Sequence, residues 1–260
     1  MTILQAIIIG AIQGLTEFLP ISSSGHLVIG QSLLGLKTAG VTFEIWLHLG
    51  TLAAVLIYFR SRIIRLIQSL WSGREGAVER TTVWALILGT LPAVVIGFTL
   101  KSAIETAFSS PKFTAAMLVV TGVILLSTLL AKNKGFLVSP LRGLIIGVAQ
   151  AVAILPGISR SGSTISAAMF LGVDPPKAAE FSFLLSIPAI AGAFLLDAVS
   201  AEGGILPAGD FGGYLIGTAI SFLLGLLSIH YLLKIIRKGS FHLFGIYCLV
   251  VGAVSYVFLP

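Results

Sequence analysis

The chain has 260 residues, 57% of them hydrophobic and 10% charged, with a mean hydropathy of +1.06. A soluble domain uses roughly 25% charged residues to cover its surface, so water is excluded as the solvent for most of this chain and lipid takes its place. The excess of 16 Lys+Arg over 10 Asp+Glu is then read as membrane topology and not as a nucleic-acid footprint, and the single cysteine, Cys248, excludes an internal disulfide and a metal–thiolate cluster.

The first residues, M-T-I-L-Q-A-I-I-I-G, have no basic n-region and no small-residue cleavage site after them, and Gln13 and Glu17 interrupt the apolar run. A removable signal peptide is not expected. Ile3–Leu36 is a helical run, a polar Pro/Ser/Gly break and a short second run. Each limb is short for a crossing, which takes about 20 residues. Irregular backbone survives in lipid only where protein or a water-filled cavity surrounds it, so the segment reads as a re-entrant hairpin; an ordinary span over Ile3–Leu19 is the alternative. Spans follow at Phe43–Phe59, Thr82–Leu100 and Phe113–Leu130. Leu141–Val173 repeats the broken pattern, and spans at Ala178–Ala198, Gly213–Leu233 and Phe241–Phe258 complete the chain.

Basic residues cluster on alternate loops: Arg60, Arg62, Arg65, Arg74 and Arg80, then Lys132, Lys134 and Arg142, then Lys234, Arg237 and Lys238. The loop between the fourth and fifth spans carries Asp197, Glu202 and Asp210 instead. The positive-inside rule puts the basic loops in the cytoplasm and both termini outside. The first hairpin enters from outside and the second from the cytoplasm.

The hairpins are related. G-A-I-Q-G-L-T-E-F-L-P-I-S-S-S-G-H from Gly10 pairs with G-V-A-Q-A-V-A-I-L-P-G-I-S-R-S-G-S from Gly147, with Gln13 and Gln150 standing 137 positions apart. Glu44 and Glu180, 136 positions apart, open the next span in each half and read as structural. The expected fold is an all-α polytopic membrane protein in one domain, 1–260. Its two inverted repeats, 1–131 and 132–260, each hold one re-entrant hairpin and three spans. Broken helices that meet near the midplane form sites in such folds.

The halves have diverged in charge. The first hairpin offers Gln13, Glu17, Ser22, Ser23, Ser24 and His26; the second offers Ser159, Arg160, Ser161, Ser163 and Thr164, with Ile154 where Glu17 would stand. Unpaired charge at mid-membrane costs roughly 2.5–3.5 kcal/mol, so Glu17 and Arg160 are expected to offset one another if the tips meet. These groups suit phosphate chemistry. Helix N-termini attract anions, and Gly25, Gly157 and Gly162 allow close backbone approach. A guanidinium grips phosphate in a planar fork. Gln13 and Glu17 share a helix face and offer oxygen ligands to a hard cation, and a serine near a histidine is a candidate nucleophile. Most of the serines also suit helix caps. His48, His230 and His242 form no usable pattern.

E-F-L-P-I-S-S-S-G-H (Glu17–His26) and P-G-I-S-R-S-G-S-T (Pro156–Thr164) resemble the two signature motifs of the integral-membrane undecaprenyl-pyrophosphate phosphatases of the bacitracin-resistance type. The resemblance covers the whole chain. It implies hydrolysis of a polyprenyl pyrophosphate to the monophosphate and inorganic phosphate, which recycles the lipid carrier for cell-wall synthesis. It also implies a Mg²⁺ or Ca²⁺ ion, a plasma-membrane location with the site open to the outer side, and a lipid partner in the bilayer; it is compatible with a homodimer. By matching position, Ser23 stands for the nucleophile and His26 for the adjacent histidine. Glu17 and Arg160 complete the catalytic set. Ser22, Gly157, Ser159, Arg160, Ser161 and Thr164 stand for the pyrophosphate-binding residues, and Gln13 with Glu17 for the metal-binding pair. Where many members carry glutamate this chain has Gln13, which leaves one charge fewer for a metal. A secondary transporter or lipid-carrier flippase on the same architecture is the competing reading.

Overall fold

The computed structural model describes residues 2–33, 41–200 and 211–259, in which helices are joined by turns and one extended stretch before Pro140 that bridges Phe136 to Val173. The elements are α1 (Ile3–Thr16), α2 (Ser23–Leu33), α3 (Val41–Tyr58), α4 (Arg60–Ser69), α5 (Ala77–Thr99), α6 (Lys101–Phe108) and α7 (Pro111–Ser127), then α8 (Pro140–Val152), α9 (Arg160–Phe170), α10 (Pro175–Ser200), α11 (Phe211–Arg237) and α12 (Leu243–Phe258). Glu202 and Asp210, the acidic loop of the sequence reading, lie outside the described residues, as do Leu34–Leu36 at the end of the first expected hairpin.

Four helices among the described residues are long and apolar enough to cross a bilayer: Ala77–Thr99, Pro111–Leu130, Pro175–Leu195 and Phe211–Arg237. The span expected over Phe43–Phe59 passes only together with α4, and the two helices bend by 72° at their junction. The span expected at Phe241–Phe258 is the 16-residue α12, which at 1.5 Å per residue is about 24 Å long, short of a ~30 Å hydrocarbon core. The basic stretch after Phe59 is not all loop. In α4, Arg60, Arg65 and Gln68 are exposed while Leu66 and Ser69 are buried, the two-faced pattern of a helix lying along an interface.

The packing crosses between the two halves of the sequence. α1 lies against α11 and α8 against α5, while α7 pairs with α12. These crossings are close because both backbones present glycine. A Cβ on Gly10 would sit 3.0 Å from the Gly217 Cα, and one on Gly147 would sit 2.7 Å from the Gly89 Cα. Small residues are what let membrane helices approach this far. In the middle, Phe183 of α10 takes Phe18 edge-on at 5.6 Å and Phe59 at 5.9 Å. That aromatic cluster fixes the break after α1 against α3 and α10.

Candidate active site

Both short limbs end in built breaks. α1 stops at Glu17, whose backbone N–H still donates to the Gln13 carbonyl, and the chain turns through Pro20 to Ser22. Ser22 stands at φ 67, the left-handed region that costs a non-glycine residue of order 1–3 kcal/mol. Its hydroxyl accepts from Gly25 N–H at 3.2 Å, capping α2. The second break repeats this: α8 ends at Val152, Gly157 takes φ 91, and the Ser159 hydroxyl accepts from Gly162 N–H at 3.1 Å, capping α9. Ser22 Oγ lies 3.2 Å from Ser24 Oγ, and Ser159 Oγ lies 3.3 Å from Ser161 Oγ.

The neighbouring helices hold the breaks from behind. Thr121 of α7 donates to the Gly157 carbonyl at 2.8 Å and accepts from Ser159 N–H at 3.0 Å. Cys248 of α12 lies 3.7 Å from the Pro20 carbonyl through its sulfur. The tips then touch. A Cβ on Gly25 would meet the Gly157 Cα at 3.3 Å, and Ser161 donates to the Leu19 carbonyl at 3.1 Å.

Glu17 is the centre of the meeting point. Arg160 Nη2 donates to its Oε1 at 2.6 Å. Ser23 Oγ donates to its Oε2 at 2.6 Å, and Gln13 Nε2 donates to the same oxygen at 3.1 Å. One carboxylate thus ties both hairpins and the serine together. A cleft of about 340 Å³ opens over this group, with Glu17, Ser22, Ser23, Ser24, Ser159 and Arg160 in its wall. Gly157, Ser161 and Thr164 are not in that wall. Thr164 is turned back, bonding to the Arg160 carbonyl and sharing a 2.6 Å contact with Ser182 Oγ.

His26 is also outside the cleft wall. Its Nδ1 is 2.8 Å from the Ser22 carbonyl, and its Nε2 is 2.8 Å from the Tyr247 hydroxyl. A carbonyl only accepts, so Nδ1 carries a proton, and in the neutral ring Nε2 accepts from Tyr247. The ring therefore steadies the Ser22 turn and does not meet Ser23.

Two polar cleft residues were read from sequence without a site role, Glu44 as structural and His48 as part of no pattern. Glu44 and His48 reach the cleft from α3, and His48 Nε2 stands 3.8 Å from Glu17 Oε2. They are four apart on one helix face, which is the signal that could have found them. Glu180, the repeat partner of Glu44, instead pairs with Arg62 at 2.8 Å.

The residues present do not make a metal cage. Among the described residues no three His, Cys, Asp or Glu groups converge, and both Glu17 oxygens already accept bonds from Arg160, Ser23 and Gln13. Gln13 Oε1 is buried without a partner and Glu17 Oε1 accepts a single bond. A Mg²⁺ or Ca²⁺ ion held by this pair would therefore take most of its six or more oxygens from water and from a bound diphosphate.

Residues 6–254 match the family model described as Bacitracin resistance protein BacA. An undecaprenyl-diphosphatase from Desulfatibacillum aliphaticivorans is 41% identical over 271 residues, covering 98% of each chain. One from Desulforapulum autotrophicum is 42% identical, covering 99% of this chain and 98% of that one. One from Korarchaeum cryptofilum is 42% identical, covering 97% of each.

Proposed function

The chain belongs to the bacitracin resistance protein BacA family, and from that premise we propose how it hydrolyses undecaprenyl diphosphate to the monophosphate and inorganic phosphate. The observation that carries the mechanism is the 2.6 Å hydrogen bond from Ser23 Oγ to Glu17 Oε2. A base within hydrogen-bond reach of a hydroxyl is the geometry of an activated nucleophile. Glu17 takes the Ser23 proton as Oγ attacks the terminal phosphorus. The bond to the bridging oxygen breaks, and polyprenyl monophosphate leaves with the electron pair. Glu17 releases that proton to water in the cleft and is a carboxylate again. Water then attacks the phosphoserine phosphorus as Glu17 takes its proton; the P–Oγ bond breaks, Glu17 passes the proton to Ser23 Oγ, and inorganic phosphate leaves.

Arg160 has five N–H donors, of which one bonds Glu17 and another the Ser182 carbonyl at 3.4 Å. The remainder, with the α9 N-terminus capped by Ser159, form the phosphate grip and stabilise the charge that builds on the transferring group. Glu17 and Arg160 neutralise each other until a diphosphate competes for the guanidinium. His26 positions the Ser22–Ser23 turn. A divalent cation would arrive bound to the diphosphate, where it would neutralise phosphate charge, and no step above depends on a protein-held ion.

The proposal extends to topology: six crossings and two re-entrant hairpins in halves 1–131 and 132–260, in the plasma membrane. The reciprocal crossings of α1 with α11 and α8 with α5 support the inverted repeat, as do the matched caps on Ser22 and Ser159. Glu44 and His48 stand at the cleft end of α3, while Arg60 and Arg62 follow its other end. With basic loops inside, the cleft opens outward.

The test is phosphate release from undecaprenyl diphosphate by the purified protein in detergent, beside Ser23→Ala, with rapid-quench trapping of labelled phosphate on the chain. Label on the wild type and not on the variant is expected. Release without any labelled protein overturns the serine step and leaves direct attack by water.

A further inference from the structure

We infer that the prenyl chain of the substrate lies in an apolar groove between α5, α6 and α8, and that Ile154 is the doorway between that groove and the catalytic cleft. The inference rests on the polyprenyl-diphosphate hydrolase reading and names where the lipid end of that substrate goes.

The groove has a volume of about 650 Å³, and every residue in its wall is apolar. Pro92 and Val95 come from α5, Ile104 from α6 and Val148 from α8. It adjoins the cleft that holds Glu17 and Arg160. Ile154 lines both. On α6, Phe108 lines the cleft, and Ile104, one turn earlier, lines the groove, so one helix face runs from one space into the other.

The groove is also open toward lipid. Val95 is 57% exposed and Val148 53%, so a prenyl chain can slide in sideways without leaving an apolar medium. A diphosphate held at Arg160 has one polar end in the cleft and an apolar chain that must leave it. The shared wall at Ile154 offers that exit.

Ile154 stands 137 positions after Glu17, at the place where the first hairpin has its carboxylate. A carboxylate at 154 would put charge at the junction, against the chain and against the diphosphate. An isoleucine there makes the passage continuous and apolar. The absence of an acid at 154 thus leaves that half open to the lipid end of the substrate.

Hydrolysis of dimethylallyl, farnesyl and undecaprenyl diphosphates tests this, with wild type, Val148→Trp, Val95→Trp and Ile154→Glu. Val95 and Val148 face outward, so a larger ring at either fills the groove without entering the packed interior. In the wild type, KM falls as the chain lengthens. In both Trp variants the KM for undecaprenyl diphosphate rises about tenfold or more, while dimethylallyl diphosphate, whose tail ends near the doorway, is hydrolysed as before. Ile154→Glu raises KM for every chain length that must pass the doorway. Equal losses on all three substrates in the Trp variants, or an unchanged KM for the undecaprenyl substrate, would overturn the groove. Failure of the wild type to release phosphate from any of the three would overturn the hydrolase reading instead.

Discussion

The Glu17–Arg160 pair should behave as one unit in a double-mutant cycle. Its N–O distance is 2.6 Å, and the side chains are 7% and 15% exposed. Removing one partner of a buried pair strands the other and costs about 3–5 kcal/mol. Arg160→Met strands the more buried group and should cost that full range. Glu17→Gln should cost less, about 1–3 kcal/mol. Ser23 keeps an amide oxygen to donate to, and Arg160 keeps the Ser182 carbonyl and some contact with solvent. Simple addition would put the double variant at about 4–8 kcal/mol of lost stability. With both charges gone, no ion is stranded, and the double variant should lose only about 1–2 kcal/mol. The coupling is therefore about 2 kcal/mol or more, well above the ~0.5 kcal/mol scatter of independent sites. Reversible unfolding in mixed micelles, followed by circular dichroism, reads all four corners. A double variant within about 0.5 kcal/mol of the sum would refute the idea that the two hairpins are tied through this pair.

Ser23→Ala and Glu17→Gln should each lower kcat about a hundredfold or more, and His26→Ala should lower kcat with KM unchanged, since its ring holds the Ser22 carbonyl and touches no substrate; steady-state phosphate release separates the two parameters. Lipid-free protein titrated with Mg²⁺ or Ca²⁺ in a calorimeter should show no tight binding, because without a diphosphate Gln13 and Glu17 supply only a minority of the six or more oxygens; tight binding without diphosphate would contradict the cation's arrival with the substrate. Gly157→Ala should abolish stable folding or cost more than about 3 kcal/mol, since its φ is 91 and the new methyl would meet Met117 Cβ at 2.8 Å and crowd the Thr114 carbonyl; a thermal melt checks it. Gln150→Leu should leave stability unchanged or raise it by about 1 kcal/mol, because both of its amide atoms are buried without a partner; a clear loss of stability would mean that the amide is satisfied in the membrane.

The site was legible where chemistry interrupts an apolar run. Glu17 and Arg160 are conspicuous because each puts a charge at the break in the middle of an apolar hairpin, and a charge in lipid demands a partner. The serine caps were legible because Ser-Gly spacing at a helix start has few other uses. Glu44, His48 and Thr121 were not legible as site residues. They come from spans whose neighbours are apolar, and only the folding of α3 and α7 against the breaks gives them a role. α4 and α6 were also missed, since a short amphipathic helix between spans carries the same charges as a loop.

The asymmetry between the hairpins follows from what a symmetric pair would cost. At the matched positions, Ser23 faces Arg160 in the alignment, Glu17 faces Ile154, and His26 faces Ser163. Two hairpins each carrying a carboxylate would bring like charges together at touching tips and repel a diphosphate. Two hairpins each carrying the arginine would bind phosphate, but the first would then have neither Ser23 nor the Glu17 carboxylate beside it. One of each leaves the empty tips neutral, through the 2.6 Å pair, and leaves donors on Arg160 for an incoming anion. On the proposed mechanism the acid of one break supplies the base and the arginine of the other grips the anion, while Ile154 keeps a second carboxylate out of the cleft wall.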